Sequence, residues 1–363
     1  MMIYKTAKSL CWIGMVALTL LLWAAPSSAD FVKFQAPNSP SEKLVIYSST
    51  DVDRIVSLIQ AFQNIYPSIT VDYHDLDTLE INQRIIDETN TGQPTADLSL
   101  SSAMDLQIKL VNDGYSAPYF SKETDALPDW AVWRNEAFGF TYEPAVIIYN
   151  NAIAPELEQV NSRFELAKIL NEQSERMHGR VVTYDPEKSG LGYLYSTQDA
   201  VQSEDFWYLV RSLGDSGVHL ETSSATMINK VASGEALIAY NVLGSYALAR
   251  ARENKDLSIT IPQDYCLVMS RIAIISKTAR NPEAAGRFID FLLSKEGQQL
   301  IAGPASLYAI RADIKGEATA RNLQEIANGP LIPIHLGPGL LVYLDRMKRK
   351  DFLNRWHRAM NSK

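Results

Sequence analysis

The sequence predicts an α/β protein built as two lobes, each a mixed sheet flanked by helices. Three observations carry this. Strands alternate with amphipathic helices along the chain, which argues for sheets covered by helices. The alternation occurs in two successive series. The 363 residues exceed what one hydrophobic core serves, so the chain divides.

The first 29 residues stand apart. Lys5 and Lys8 supply a positive start, Leu10 to Ala25 is apolar apart from Thr19, and Pro26-Ser27-Ser28-Ala29 ends the run with small residues. That order predicts a secretory signal peptide cleaved after Ala29, with an apolar run too short for a membrane anchor. The expected mature chain loses two lysines and no acids, so its net charge moves from -8 to -10. An acidic chain lacks the cationic footprint of nucleic-acid binding. Cys11 leaves with the signal, and Cys266 remains alone, so no intramolecular disulfide is expected. The setting Asp264-Tyr265-Cys266-Leu267-Val268-Met269 predicts a buried strand and an inert thiol.

The polar segment Ala36 to Glu42 predicts a flexible leader, given the bounds 30–42. Lys43 to Tyr47 reads as the first strand, with the turn Ser48-Ser49-Thr50-Asp51 behind it. Val52, Ile55, Val56, Ile59 and Phe62 then recur at helical spacing up to Pro67. Ile69 to Tyr73 is the next strand and Thr78 to Glu88 the next helix. Ala96 to Leu100 is a third strand, broken by Ser101-Ser102 before a helix over Met104 to Asn112. The second series opens with strands over Val146 to Asn150 and Gly179 to Tyr184. Helices follow around Tyr193 to Ala200 and Phe206 to Leu213, and Gly234 to Tyr240 runs from a helix end into a strand. Ser258 to Pro262 and Cys266 to Ser276 read as two further strands. Asn281-Pro282-Glu283 opens a helix with Pro in its first turn, and Gly339 to Met360 predicts a terminal helical pair packed on one lobe.

No catalytic constellation emerges. The histidines at 74, 178, 219, 335 and 357 lack metal-ligand spacing, and no phosphate loop, dinucleotide fingerprint or nucleophile elbow is present. The string Gly214-Asp215-Ser216-Gly217 copies the surroundings of a protease serine without a partner motif, and predicts a turn; a secreted hydrolase using Ser216 is the weaker alternative. Neither a catalytic residue, a metal site nor a cofactor is expected.

Hydroxyl- and glycine-rich turns at strand ends are the informative feature. Ser48, Ser49 and Thr50 precede one helix and Ser101 and Ser102 another. Ser189, Gly190, Gly192 and Tyr193 open a third. Each places small donors and free backbone N–H groups at a helix N-terminus, where an anion is favoured. Ordinary N-capping explains any one turn equally well. Tyr240 and Asn241, at a strand end, suit a small-molecule site, or equally a core tyrosine and a turn asparagine. In open α/β sheets, ligands sit beyond the carboxyl ends of strands. Two facing sheets would therefore share a ligand cleft that closes about a hinge.

The chain resembles bacterial extracellular solute-binding proteins of ABC transporters, in the branch of ferric-iron, phosphonate, phosphoglycerate and hexose-phosphate binders. The resemblance rests on the string from Asn281 to Gln299, NPEAAGRFIDFLLSKEGQQ, and on Leu44 to Ser48, Ala96 to Leu98, Val146 to Asn150 and Gly234 to Ala236. It implies a type II periplasmic-binding-protein fold with the ligand in the interlobe cleft. The first lobe would span 43–140 plus 267–313, and the second 141–262 plus 314–363. Hinge crossovers would lie near 138–145 and 262–268. It further implies a periplasmic monomer that hands its solute to an ABC permease, or reports it to a membrane sensor kinase. Ferric members carry adjacent tyrosines after the Gly-Glu element; here Ala239-Tyr240-Asn241-Val242-Leu243-Gly244-Ser245-Tyr246 has no such pair, and Tyr193 and Tyr195 are two apart. The resemblance therefore favours a small organic anion, a phosphate ester or phosphonate, over Fe(III).

Overall fold

A computed structural model describes residues 31–361; the expected signal peptide and its cleavage site lie outside the described residues. The chain builds two sheets. The first runs, edge to edge, through Phe31–Phe34, Ile69–Asp75, Glu42–Ser48, Leu98–Ser101, Ile272–Ser276, Ala137–Gly139 and Val132–Trp133, with Ser116–Ala117 beside Ile272–Ser276. The second runs through His219–Glu221, Val181–Tyr184, Ile238–Leu243, Glu143–Asn150, Cys266–Met269 and Leu331–Pro333, with Leu257–Thr260 beside Glu143–Asn150. Each mixes parallel and antiparallel pairs, as an α/β chain with returning segments must.

Helices cover the sheets where the apolar spacing predicts. Val52–Ile65 buries Ile55, Leu58, Ile59 and Phe62, and Phe62 meets Phe288 and Phe291 of the helix Pro282–Leu293 edge-on and tilted. That second helix is capped by Asn281, whose side chain accepts from the Ala284 amide at 3.1 Å. Full burial of each such side chain is worth about 1.5–3 kcal/mol. Cys266 is buried in its strand, and burial pushes its thiol up to about 12.

The chain passes between the sheets twice. One crossing is Phe140-Thr141-Tyr142, between Ala137–Gly139 and Glu143–Asn150. The other is Ser270-Arg271, between Cys266–Met269 and Ile272–Ser276. The crossings are tied together: the Arg271 amide donates to Thr141 Oγ1 at 2.8 Å and the Phe140 amide to the Arg271 carbonyl at 3.0 Å. Cys266 to Ser276, expected as one strand, is therefore two strands in different sheets. Return to the first sheet comes at Ile272, later than the crossover expected near 262–268.

Two other expectations change. The segment expected as a leader contains a strand, because Phe31–Phe34 pairs antiparallel with the edge strand Ile69–Asp75 and Phe31 stacks on His74 at 5.0 Å. The tail touches both halves. The helix Arg346–Met360 packs Phe352 and Trp356 against Phe206 and Trp207 of the helix Asp205–Asp215, whereas the 3-10 turn Pro338–Leu344 lies against Met104–Asn112 of the first half. Among the described residues no helix is long and apolar enough to cross a membrane.

Candidate functional site

A cleft of about 290 Å³ lies between the two sheets. Residues at the starts of six helices line it. From the first sheet come Ser49 and Asp51 before Val52–Ile65, Asp77 and Thr78 at the start of Thr78–Thr91, and Ser102 before Met104–Asn112. From the second come Ser189 and Leu191 at Gly190–Gln202, Ser223 and Ser224 at Ser224–Ala232, and Leu243 and Tyr246 at Gly244–Glu253. The convergence follows from the α/β connection, in which each strand delivers its chain to a helix beginning at the sheet's carboxyl edge. Each helix start carries about half a positive charge and unsatisfied amides. Ser189 and Ser223 cap their own helices, accepting from the Gly192 and Thr226 amides at 3.1 and 3.2 Å. The N-cap residues Asp51, Asp77, Ala103 and Leu243 make no side-chain cap bond.

The two walls differ in charge. The first-sheet wall presents Asp51, Asp75, Asp77 and Glu80, and no Lys or Arg lines the cleft. Glu80 pairs with Arg84 at 2.6 Å. Partial burial and the neighbouring Asp51 carboxylate raise Asp75 to about 6, with the Val52 amide working against the rise. Burial also raises Asp51, opposed by Arg271. The second-sheet wall is uncharged, carrying Tyr184, Thr222 and serines. Tyr184 Oη and Ser224 Oγ lie 2.7 Å apart. Burial raises both cleft phenols above their usual range, Tyr246 to about 12.

Hydrogen bonds join the walls. The Gly190 amide donates to Thr78 Oγ1 at 3.1 Å, and the Asp51 amide donates to Tyr246 Oη at 3.3 Å. Beneath the floor lies Arg271, fully buried. It pairs with Glu143 at 2.8 Å and donates through Nη1 to Thr50 Oγ1 at 2.8 Å and the Ser49 carbonyl at 3.3 Å, while its Nη2 has no hydrogen-bond partner.

Of the residues singled out in the sequence, Ser49, Ser102 and Ser189 line the cleft. Ser49 accepts from the Ser102 amide at 3.1 Å, which joins two of the turns. Gly190 makes the contact between walls, and Gly192 donates to Ser189. Ser48 and Ser101 are spent on the Thr50 and Ala103 amides, and Thr50 on Arg271. Tyr193 faces the tail, donating to the Tyr343 carbonyl at 2.5 Å and packing on Phe352. Tyr240 and Asn241 lie in a buried network of the second half. Both donate to Asp199 at 2.7 Å, where Arg163 pairs at 2.9 Å and Tyr265 also donates. Ser216 is buried, its hydroxyl donating to the Leu213 carbonyl at 2.7 Å, in the role of a helix-end turn.

Sequence reasoning missed Asp51, Asp75, Asp77, Thr78, Tyr184, Ser223, Ser224 and Tyr246. Thr222-Ser223-Ser224 carries the same signal that singled out the other turns, hydroxyls immediately before a helix.

Fold and cleft together define a two-lobed α/β binding protein. The chain belongs to the bacterial extracellular solute-binding protein family, whose model matches residues 57–328. It is thus a binding protein and not an enzyme. It is similar to the substrate-binding protein of an ABC transporter from Agrobacterium tumefaciens, at 38% identity over 93% of this chain and 100% of that one, with a TM-score of 0.86. Two more distant structures share the fold. AfuA of Actinobacillus pleuropneumoniae, with exogenous fructose-6-phosphate bound, has a TM-score of 0.72 at 19% identity over 89% of this chain and 100% of that one. Iron-bound HitA of Pseudomonas aeruginosa has a TM-score of 0.70 at 19% identity over 88% and 99%. An uncharacterized protein of Haemophilus influenzae is 26% identical over 219 residues, 59% of this chain and 62% of the relative. The resemblance to extracellular solute-binding proteins of ABC transporters, drawn in the sequence, holds.

Proposed function

We propose that this chain is a monomeric periplasmic receptor of an ABC importer, and that its solute is a small organic anion, a phosphate ester or phosphonate foremost. The convergence of six helix starts on one cleft carries the reading, since orphan amides and aligned dipoles hold phosphate without a cationic side chain. AfuA, a structural neighbour with a sugar phosphate bound, supports the same ligand class. A micromolar receptor binds with about -8 kcal/mol. Thermal-shift measurement of the mature protein against sugar phosphates, phosphonates, carboxylates and Fe(III) tests it. At a hundred times its dissociation constant a ligand adds about 2.7 kcal/mol. Stabilisation by Fe(III) alone sinks the organic-anion reading.

Ferric iron is the second reading, favoured by the hard oxygens of Tyr184, Tyr246, Asp51 and Asp75 in the same cleft. Against it, burial raises both phenols above their usual range, which disfavours the phenolate that iron needs, and Tyr184 is engaged by Ser224. Delivery to a permease rather than a sensor kinase is tested by solute uptake in a strain lacking this protein; intact uptake would favour signalling.

A further inference from the structure

We infer that the solute is bipolar: its anionic head meets the second-sheet wall, and a positively charged amine at its other end meets Asp51, Asp75 and Asp77. This rests on the organic-anion reading and names the ligand class more closely. The asymmetry of the walls carries it. The three aspartates have no ion pair among the described residues, and no lysine or arginine lines the cleft to answer them. A simple phosphate ester entering this 290 Å³ space would bring two negative charges toward three more. Like charges at such range repel in a partly desolvated cleft. The opposite wall has what a phosphate needs and no negative charge: the starts of Gly190–Gln202, Ser224–Ala232 and Gly244–Glu253, with Ser189, Thr222, Ser223 and Ser224 between them.

Behind the aspartates, the nearby cations are committed elsewhere: Arg54 pairs with Asp53 at 3.5 Å and lies over the Tyr246 ring. Arg271 is held by Glu143 and by the Ser49–Thr50 turn, and its Nη2 is closed off from solvent without a partner. It draws Asp51 toward its charged form but does not reach it as an ion pair. Burial, and then the Asp51 carboxylate, raise Asp75 to about 6; the wall has a shortage of positive charge because no Lys or Arg lines it. An ammonium group between Asp51, Asp75 and Asp77 relieves that shortage and lies a short chain away from the helix starts opposite.

Calorimetric titration at pH 7.5 with O-phosphoethanolamine, ethyl phosphate and ethanolamine tests this on the mature protein. Phosphoethanolamine is expected to bind at least tenfold tighter than ethyl phosphate, its near-isostere without the amine. In Asp75→Asn and Asp77→Asn that ratio is expected to fall several-fold, with ethyl phosphate gaining affinity. Equal binding of the two phosphates by the wild-type protein overturns the bipolar assignment and leaves the anion reading standing. Binding of ethanolamine with neither phosphate bound, or of none of the three, overturns both.

Discussion

A single methyl group at Gly190 separates closure from folding. Gly190 opens a helix in the second half, and its amide bonds to Thr78 across the cleft. A Cβ there would stand 2.8 Å from Thr78 Oγ1 and 3.0 Å from both Ala103 Cβ and Leu106 Cδ1. All three atoms belong to the first half. The penalty of Gly190→Ala therefore falls on the state in which the walls meet. Overpacking of this size costs about 1–3 kcal/mol, and each 1.4 kcal/mol is a factor of ten. The affinity for the cleft's solute should drop about 5- to 150-fold, while ligand-free thermal unfolding stays put or rises slightly, because Ala is the better helix residue. Calorimetry with the ligand that stabilises the wild-type protein, paired with small-angle scattering for closure, measures both. A variant that binds within twofold of wild type and compacts equally would show that the Gly190–Thr78 contact plays no part in closure.

Other substitutions test the frame. Asp105 is buried at the start of its helix, and burial raises it from 3.8 to about 7. The folded state then keeps a proton that the unfolded chain releases between about pH 4 and 7, so stability falls as pH rises through that window. At 1.36 kcal/mol per unit the loss is at most on the order of 4 kcal/mol. Urea unfolding across pH 4–8 should show a flatter profile and a gain at pH 8 for Asp105→Asn; an unchanged slope would contradict the assignment. Asp199→Ala leaves Arg163 with Asp264 as its remaining carboxylate and strips Tyr240, Asn241 and Tyr265 of their shared acceptor, so it should cost on the order of 3 kcal/mol, read by the same denaturation. Cys266 should resist thiol reagents in the native protein and react only on unfolding, since burial holds its pKa near 12. Rapid native labelling would place that strand at the surface.

Local elements were legible wherever pattern and boundary agreed. The helix Met104–Asn112 has the predicted ends, since its apolar stripe begins after Ser101-Ser102 and stops before Gly114. The edge strand Phe31–Phe34 was not legible: four residues between polar stretches become a strand only because Ile69–Asp75 offers its free edge. The run from Cys266 to Ser276 hid a crossing, since both pieces are buried and apolar. Arg271 was the mark to heed there. A guanidinium in an apolar run requires a buried acid, and Glu143, the first residue after the other crossing, supplies it.

The cleft was half legible, for a reason the second-sheet strand Ile238–Leu243 makes plain. Strand ends do approach the cleft, but a residue reaches it only if its side chain points there. Between Ala239 and Val242 the ladder slips, and Asn241 takes a positive φ of 62°. That bulge breaks the alternation, and the amide of Asn241 joins the Tyr240 hydroxyl on Asp199 inside the second half. The hydroxyl rule is sounder because it depends on where a helix begins and not on side-chain direction. Applied evenly it would have reached Ser223 and Ser224. It could not have reached the aspartates, since Asp at a helix start reads as a cap. Only the folded structure shows that Asp51 and Asp77 leave their own helices uncapped. Their carboxylates are therefore free to select what enters, and the charge of the cleft is set by residues that sequence reading assigns to local structure.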